Sequence, residues 1–331
     1  MDIIFENCLV QEPLVSVIVP SYNRKETVGF TLDSILQQIC DFSIELIIGD
    51  DCSTDGVREV LLSYQQRYPN VIKLLFHDTN IGLAANWAKC VQHCRGKYIA
   101  NCDNDDYWHN NNKLQLQVNF MQDNLNYGVV HTNYRFLNRK NGKVKDIVVE
   151  NNASESIQSQ LFAGKYNCCN AAMMYRAELL RKYLNLNDFI KYKFTLQDWN
   201  AWVILSAYTD FYCLNISTAT VCVGDVSVTR PNEFIQLEKR LLLEKECYKY
   251  VCDLFPHNLK YLELDYDTYS LKVLLNFTYS TIDYKNGNAV AEKLIEIGVR
   301  NYKVRIARIR ICFYLYALLR KLYKEFSSNL L

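Results

Sequence analysis

The first hundred residues alternate between short apolar segments and longer segments with helical spacing, and this alternation constrains the fold more than any other feature. Residues 14–19 are almost continuously valine, isoleucine and leucine, which is typical of a strand buried on both faces. Further predicted elements follow in the order 27–38 (helix), 44–48 (strand), 54–68 (helix), 71–76 (strand), 81–94 (helix) and 97–102 (strand). Alternation with short connections predicts parallel strands joined by right-handed crossovers, which is an α/β fold.

Three of the predicted strands end in distinctive polar sequences. These are residues 20–23 (PSYN), 50–51 (DD) and 103–106 (DNDD). In open parallel sheets, ligands bind beyond the carboxyl ends of the strands. The three polar ends therefore predict one ligand-binding crevice.

Two acidic stretches lie at these strand ends. Asp103 and Asp105 form a hard oxygen pair that suits Mg²⁺ or Mn²⁺, although this stretch taken alone favours an Asp-rich turn that caps the next helix. Asp50 and Asp51 either cap a helix or accept hydrogen bonds from a nucleoside. Residues 20–25 contain no glycine, which argues against a nicotinamide dinucleotide site and excludes a P-loop.

Overall charge and cysteine content bear on the class of protein and on its compartment. Lysine and arginine (37) nearly balance aspartate and glutamate (36), so no overall charge favours nucleic acid. The thirteen cysteines, an odd number, and a start without signal-peptide character predict a cytoplasmic chain with reduced thiols. A zinc site at Cys90, His93 and Cys94 is the alternative.

The pattern of predicted secondary structure changes along the chain. Residues 128–137 read as a strand, Asn141-Gly142 as a hairpin turn and 197–207 as a helix, whereas the chain beyond about residue 230 is mainly helical with a predicted break at Asn286-Gly287. We expect an N-terminal extension at 1–12, a catalytic domain at 13–230 and a C-terminal helical region at 231–331. Within the catalytic domain, residues 13–110 would form the nucleotide-binding half and residues 111–230 the acceptor half.

Residues 302–326 carry seven basic side chains and one acidic side chain around an apolar run at 311–319. This run is too short to span a bilayer and suits an interfacial helix with an apolar stripe at Val304, Ile311 and Leu318. The segment could equally pack on the catalytic domain or form a homodimer.

Taken together, five segments resemble glycosyltransferase family 2, the inverting enzymes of GT-A fold that use nucleotide sugars, including those of bacterial surface polysaccharides. The segments are 13–24 (PLVSVIVPSYNR), 45–55 (ELIIGDDCSTD), 80–82 (NIG), 98–106 (YIANCDNDD) and 197–202 (QDWNAW). The resemblance implies a Rossmann-like, mostly parallel sheet flanked by helices.

The resemblance also implies residue roles. Asp198 would be the catalytic base, and Asp105 would bind the metal, Mn²⁺ or Mg²⁺. The donor would bind Pro20, Tyr22, Asn23, Asp51, Asn80, Asp103 and Asn104. A carboxylate across from the leaving group fits inversion, because the acceptor hydroxyl must lose its proton there.

Two departures from the family pattern matter. Residues 221–229 lack the histidine that the family often carries, so the diphosphate or metal contact made there is in doubt. Residues 84–87 lack the family's arginine, and Lys89 or Arg95 would have to replace its charge.

The predicted function is metal-dependent, inverting sugar transfer. The donor would be a nucleotide-diphosphate sugar, with a UDP-sugar expected, and the acceptor a glycan or lipid-linked oligosaccharide at the inner face of the plasma membrane. The alternatives are a catalytically impaired protein that binds nucleotide sugars or glycans, and a sugar nucleotidyltransferase.

Overall fold

The computed structural model describes residues 3–5, 12–150, 156–162, 165–223, 233–256 and 266–329. The chain divides into two units, Met1–Asp225 and Val226–Leu331. The first unit contains a ten-stranded sheet flanked by helices, and the described residues of the second unit are helical.

The first part of the sheet is built by the alternating segments. Its strands are β1 (Ile3–Phe5), β2 (Val15–Ser21), β3 (Ile44–Asp50), β4 (Ile72–Phe76) and β5 (Tyr98–Asn101), in the order β1-β4-β3-β2-β5. All but β1 are parallel, and the crossovers contain α1 (Lys25–Leu36), α2 (Val57–Arg67) and α3 (Leu83–His93). Strand β2 lies between β3 and β5 and is buried along its whole length, which explains its continuous apolar sequence.

The second part of the sheet is mixed. In chain order its elements are β6 (Tyr107–Trp108), α4 (Lys113–Asp123), β7 (Tyr127–Asn138), β8 (Val144–Ile147), α5 (Ile157–Phe162), a 3₁₀ turn (Asn170–Ala172), β9 (Met174–Arg176), α6 (Ala177–Tyr183), α7 (Leu186–Tyr192), α8 (Gln197–Leu205) and β10 (Asp210–Val223). The sheet continues from β5 in the order β9-β7-β10-β6, and only the β7–β10 pair is parallel. Strand β8 forms a hairpin with β7 whose turn contains Asn141-Gly142, with Gly142 at φ +68, as the sequence predicts.

One glycine lets strand β3 contact helix α3 directly. A Cβ atom at Gly49 would lie 2.1 Å from Asn86 Oδ1 and 2.6 Å from Cys90 Sγ. The Asn86 side chain donates to the Gly49 carbonyl at 2.7 Å. This close approach places the start of α3 beside the carboxyl end of β3, where Asp50 and Asp51 lie.

The second unit consists of α9 (Phe234–Leu254), α10 (Tyr266–Thr281), α11 (Tyr284–Glu296), α12 (Tyr302–Ala307) and α13 (Arg310–Asn329). Its apolar core includes Leu274, Leu275, Val290, Leu294 and Phe313. Among the described residues, none of the helices combines the length and the hydropathy needed to cross a bilayer.

The predicted break at Asn286-Gly287 is wrong, because both residues lie inside α11. The helix instead begins after Asp283, whose carboxylate accepts a hydrogen bond from the Asn286 N–H at 3.2 Å. A Cβ at Gly287 would lie 2.6 Å from Phe313 Cε2. This glycine serves close helix packing rather than a turn.

The predicted α/β class with a following helical region is confirmed. The parallel part of the sheet is the part whose strands alternate with helices in sequence. Strands β6, β8 and β9 run antiparallel to their neighbours. The expected domain boundary at residue 230 lies outside the described residues and stays a prediction.

Candidate active site

The loops after β2 and β3 are joined by hydrogen bonds between side chains and backbone. Asn23 Oδ1 accepts from the Thr54 N–H at 2.9 Å, and the Asn23 N–H donates to Ser53 Oγ at 2.9 Å. The Lys25 N–H, at the start of α1, donates to Asp55 Oδ2 at 2.8 Å. Each loop therefore holds the other in place at the carboxyl edge of the sheet.

The loop after β5 is joined to the same assembly. Asn104 Nδ2 donates to Ser21 Oγ at 3.0 Å, and the Asn104 carbonyl accepts from Thr27 Oγ1 at 2.9 Å. Thr31 Oγ1 donates to the Asp106 carbonyl at 2.6 Å. The acidic loop is thus fixed against the end of β2 and the first turns of α1.

The two acids after β3 have different surroundings. Asp50 Oδ2 accepts from Arg58 Nε at 2.6 Å, which makes Asp50 part of a structural ion pair. The two carboxylate oxygens of Asp51 accept from the N–H groups of Ile81 and Gly82 at 2.6 and 2.9 Å. Burial raises the pKa of Asp51, although these two hydrogen bonds oppose the rise. Asp51 therefore anchors the turn that leads into α3.

The remaining residues predicted for the donor lie around these loops. Pro20 is buried near the end of β2, Tyr22 is 46% exposed, and Asn23 adopts a left-handed backbone conformation at φ 49. Asn80 is exposed in the turn that Asp51 anchors. The structure thus places these four residues at the carboxyl ends of β2 and β4, which lie on either side of β3 in the sheet.

The carboxylates of Asp105 and Asp198, from two separate segments, both act on Asp103. Burial and the carboxylates of Asp105 and Asp198 raise the pKa of Asp103 to about 7. Asp198 lies in the first turn of α8, where its Oδ1 accepts the Trp199 N–H at 2.8 Å, and burial raises its pKa too. The structure therefore brings Asp198 near the acidic loop after β5.

A chain of buried amides orients Asp103. Trp87 Nε1 donates to Asn101 Oδ1 at 3.2 Å, and Asn101 Nδ2 donates to Asn170 Oδ1 at 2.8 Å. Asn170 Nδ2 then donates to Asp103 Oδ1 at 3.2 Å. Since each amide oxygen is occupied by the preceding donor, each amide group faces the next acceptor with its NH₂. Sequence reasoning quoted Asn101 within a motif but gave it no role, and it missed Asn170, which no local motif marks.

Two arginines approach Asp105. Arg24 Nε lies 3.2 Å from Asp105 Oδ2, and Arg139 Nη2 donates to the Asp105 carbonyl at 2.7 Å. Sequence reasoning quoted Arg24 within a motif but gave it no role, and it missed Arg139. A cationic group thus already pairs with the predicted metal ligand.

The suggestion that Arg95 replaces the family's arginine is wrong. Arg95 Nε lies 3.0 Å from Glu45 Oε2, and the Arg95 N–H donates to Glu45 Oε1 at 2.6 Å. Arg95 follows the C-terminus of α3, and Glu45 lies at the beginning of β3. This pair therefore belongs to the amino edge of the parallel strands, opposite the site. The other residue suggested for this charge, Lys89, lies in the middle of α3, and its role stays a prediction.

Asp106 differs from the other acids of its loop. Only 5% of the residue is exposed, and its Oδ1 accepts the Cys222 N–H of β10 at 2.8 Å. Burial and the carboxylates of Asp103 and Asp105 raise the pKa of Asp106 well above its usual range. Asp106 therefore joins the loop after β5 to β10, which is a structural role.

The carboxylates of Asp103 and Asp105 fit a hard divalent cation. Among the described residues, no group of three or more His, Cys, Asp and Glu side chains could hold a metal by itself. Mg²⁺ takes one or two protein carboxylates and completes its shell with water and substrate phosphates, so two carboxylates suffice. Nothing in α3 supports the zinc alternative, since Cys90 and Cys94 are buried and Cys94 Sγ contacts the Cys90 carbonyl at 3.3 Å.

The first unit has a cavity of about 380 Å³ whose lining includes Val149, Glu150, Gln160, Lys165, Tyr166 and Asn167. The Tyr166 hydroxyl is 2.7 Å from His131 Nε2, which fixes the ring. Two residues further on, burial raises the pKa of Cys168, and the nearby Cys169 and Asp198 raise it further.

A buried lysine lies on α4, behind the acidic loop. Lys113 is 0% exposed, donates to Gln117 Oε1 at 2.6 Å and lies 4.4 Å from the centre of the Trp108 ring. Burial lowers its pKa to about 7. Sequence reasoning missed this residue, since a lone lysine at a helix start carries no signal of burial.

Lys113→Met is expected to remove a pH dependence of stability. Between the folded pKa of about 7 and the unfolded value of about 10.4, the unfolded chain holds a proton that the folded chain lacks. As the pH is lowered from about 9 to about 7, the free energy of unfolding of the unsubstituted protein should therefore fall by roughly 2 kcal/mol more than that of the variant. Urea unfolding at both pH values measures this difference. Exposed Lys140→Met is the control, and equal pH dependence of Lys113→Met and the unsubstituted protein would contradict the expectation.

The histidine missing from the sequence pattern concerns the end of β10. Residues 221–223 belong to β10 and contain no histidine, and residues 224–229 lie outside the described part of the chain. Arg139 reaches this region, since the Arg139 N–H donates to the Val223 carbonyl at 2.8 Å.

Comparison with known proteins identifies the family. The family model described as glycosyl transferase family 2 matches residues 16–184, just over half of the chain. The chain therefore belongs to glycosyl transferase family 2, and the resemblance noted in the sequence is confirmed. One relative is the E. coli UDP-Glc:α-D-GlcNAc-diphosphoundecaprenol β-1,3-glucosyltransferase WfgD, 34% identical over 125 residues, which cover 38% of this chain and 47% of WfgD. The chain spans about a third to a half of the length of the curated relatives it matches.

Solved structures share the fold. S. aureus TarS in complex with UDP-GlcNAc matches with a TM-score of 0.53 at 16% identity, covering 94% of this chain and 91% of that chain. The mannosyltransferase PcManGT from Pyrobaculum calidifontis, in complex with GDP-Man and Mn²⁺, matches with a TM-score of 0.54 at 15% identity, covering 95% of this chain and 88% of that chain. These similarities confirm the predicted GT-A-type architecture.

Proposed function

We propose that the protein is a metal-dependent, inverting glycosyltransferase that moves a sugar from a nucleotide-diphosphate donor to a hydroxyl group. The observation that carries the proposal is the approach of Asp198 to the acidic loop that contains Asp103 and Asp105. One carboxylate pair for a cation and a separate carboxylate for a proton are the groups that this reaction requires.

The donor is proposed to bind across the joined loops. Its nucleoside would contact Pro20, Tyr22, Asn23, Asp51 and Asn80, and its ribose and diphosphate would lie beside Asp103, Asn104 and Asp105. The interlocking of these loops supports a preformed nucleotide pocket. We propose a UDP-sugar, in line with the UDP-Glc in the name of WfgD and the UDP-GlcNAc bound to TarS.

A divalent cation, Mn²⁺ or Mg²⁺, is proposed to bind at Asp103 and Asp105, as the Mn²⁺ in the PcManGT complex suggests. When bound, it stabilises the negative charge of the departing diphosphate. Arg24 and Arg139 lie beside Asp105 and supply further positive charge there. They are our candidates for the charge that the missing family arginine would have provided.

Asp198 is proposed to accept the proton of the acceptor hydroxyl. As the proton leaves, the hydroxyl oxygen forms a new bond to the anomeric carbon on the face opposite the diphosphate. The bond from that carbon to the diphosphate oxygen breaks, and the nucleoside diphosphate departs. The buried position of Asp198 raises its pKa, which makes it a stronger base than an exposed aspartate.

The cavity beside Tyr166 is the proposed entrance for the acceptor. Its lining combines an aromatic ring with polar and charged side chains such as Glu150, Gln160 and Asn167, a set that can stack on and hydrogen-bond to sugar rings. We propose a glycan acceptor, carried on a lipid as in the diphosphoundecaprenol substrate named for WfgD. Such an acceptor places the enzyme at the cytoplasmic face of the membrane.

A thermal-shift panel of nucleotide sugars, with and without Mn²⁺, tests the donor. A ligand at a hundredfold excess over its Kd stabilises the folded state by roughly 2.7 kcal/mol, so the true donor should stand out, and more so with Mn²⁺. Incubation of that donor with glycan acceptors should then release a nucleoside diphosphate. Release of pyrophosphate would indicate a nucleotidyltransferase instead, and binding without turnover on any acceptor would indicate a sugar-binding protein.

A further inference from the structure

Helix α13 is apolar on two opposite sides. Phe313 and Ala317 are 0% and 1% exposed and belong to the core of the second unit. On the other side, four residues remain between 48% and 73% exposed, namely Ile311, Leu315, Leu318 and Leu319. At about 100° per residue these four fall within an arc of about 100°, and together they form what we call the outer face of α13.

The predicted stripe of Val304, Ile311 and Leu318 is wrong. Val304 is buried in the core, whereas Ile311 and Leu318 are exposed. The reason is the interruption between α12, which ends at Ala307, and α13, which begins at Arg310. A seven-residue spacing keeps one side of a helix only when the helix is continuous.

The border of the outer face is basic. Arg310 and Lys321 are exposed and lie within about 80° of Leu318 around the helix. From residue 297 to residue 324 the sequence contains no aspartate or glutamate. Arg308, just before the helix, is partly neutralised by Glu292 at 2.8 Å, but that pair lies outside α13.

Another exposed apolar set in the same unit differs in charge. Ile235, Leu242 and Leu243 on α9 are 50–61% exposed, but the helical spacing puts Lys239 and Glu246 among them. Among the side chains that the structure describes, the outer face of α13 is apolar and the charge along its border is basic, and Glu325 is the one acid in the sequence of the helix. That combination fits the boundary between anionic headgroups and acyl chains, where apolar side chains enter and basic side chains stay at the phosphates.

We propose that the outer face of α13 docks on an anionic lipid surface, with the helix axis parallel to the bilayer plane. Phe313 and Ala317 meanwhile keep the helix attached to the rest of the second unit. This partner accords with the proposed lipid-linked acceptor, but the docking itself needs neither donor nor acceptor. Its failure and the failure of the proposed sugar transfer are therefore distinguishable.

Vesicle co-sedimentation of the full chain tests the proposal. The protein should sediment with vesicles of phosphatidylcholine mixed with phosphatidylglycerol, bind pure phosphatidylcholine vesicles less, and dissociate as NaCl is raised. Leu315→Glu with Leu319→Glu should weaken binding by at least about tenfold, because two charges would enter the apolar region. Arg310→Gln and Lys321→Gln should each weaken it by about fivefold.

Leu242→Glu on α9 is the matched control, since Leu242 is 61% exposed and Leu319 is 63% exposed. It should leave vesicle binding unchanged. Circular dichroism checks that each variant is folded. Because the substituted side chains are exposed, we expect the fold to be preserved. Failure of the unsubstituted protein to bind the anionic vesicles would overturn the proposal. A second result would also overturn it: light scattering shows a dimer that Leu315→Glu with Leu319→Glu dissociates, while vesicle binding persists in that variant. The outer face would then bind a second copy of the chain.

Discussion

Asp198→Asn is expected to lower the rate of sugar transfer by about 10²–10⁴-fold, the usual contribution of a general base. The asparagine amide cannot accept the proton of the acceptor hydroxyl, so the oxygen would attack without that assistance. Binding of the nucleotide sugar should change little, because Asp198 is proposed to act on the acceptor. The measurement is the initial rate at saturating donor and acceptor, together with the Kd of the donor.

The substitution is nearly isosteric and preserves the local structure. Asp198 Oδ1 accepts the Trp199 N–H at 2.8 Å, and the oxygen of the introduced amide can accept the same hydrogen bond without a charge. The first turn of α8 should therefore keep this hydrogen bond, and the urea midpoint of the variant should lie close to that of the unsubstituted protein. Full transfer activity in a folded variant would remove Asp198 from the mechanism and leave it as a helix-terminal residue.

Asp105→Asn is expected to have the second largest effect, a loss of roughly hundredfold or more in transfer at a fixed Mn²⁺ concentration. A cation at the diphosphate contributes several kcal/mol to the departure of the leaving group, and about 3 kcal/mol corresponds to roughly hundredfold in rate. The variant also leaves Arg24 beside a neutral amide, because Arg24 now pairs with the Asp105 carboxylate at 3.2 Å. Titration of the transfer rate with Mn²⁺ should show a weaker metal response.

Asp106→Asn is the matched control from the same loop. Asp106 is buried, and burial with the neighbouring carboxylates raises its pKa well above the usual range, so an amide of the same shape is a mild substitution. Its Oδ1 accepts the Cys222 N–H, and an asparagine oxygen can do the same. The metal response should therefore be that of the unsubstituted protein. An equal loss of metal response in both variants would assign the effect to disruption of the loop rather than to a lost ligand.

The parallel strands could be predicted because both of their faces are buried. Strands β2 to β5 are buried along almost their whole length and are mainly apolar, and such runs are visible without any tertiary information. The helix ends were less predictable. Helix α2 begins at Val57, later than the predicted residue 54, because Cys52 and Gly56 adopt positive φ values of 59 and 87 and turn the chain first.

The candidate site could be predicted only where one motif contains the whole feature. The polar strand ends and the acidic loop are such features. Arg24 and Asp105 are 81 residues apart in sequence, and Asn101 and Asn170 are 69 apart. Pairs of this kind depend on the tertiary fold, so no local pattern reveals them. The roles assigned to the site residues stay predictions that the substitutions above would test.

The cross-linked loops after β2, β3 and β5 limit how this protein can be re-engineered. A chimera that grafts only one of these loops from a relative with another nucleotide preference would leave Asn23, Ser53 or Asn104 facing a missing partner. Asn104 is buried, and an orphaned buried polar group costs about 1–3 kcal/mol. The grafted segment would therefore shift to recover its hydrogen bonds. Transplanting the three loops as one cassette retains their mutual contacts and is the more promising route to an altered donor preference.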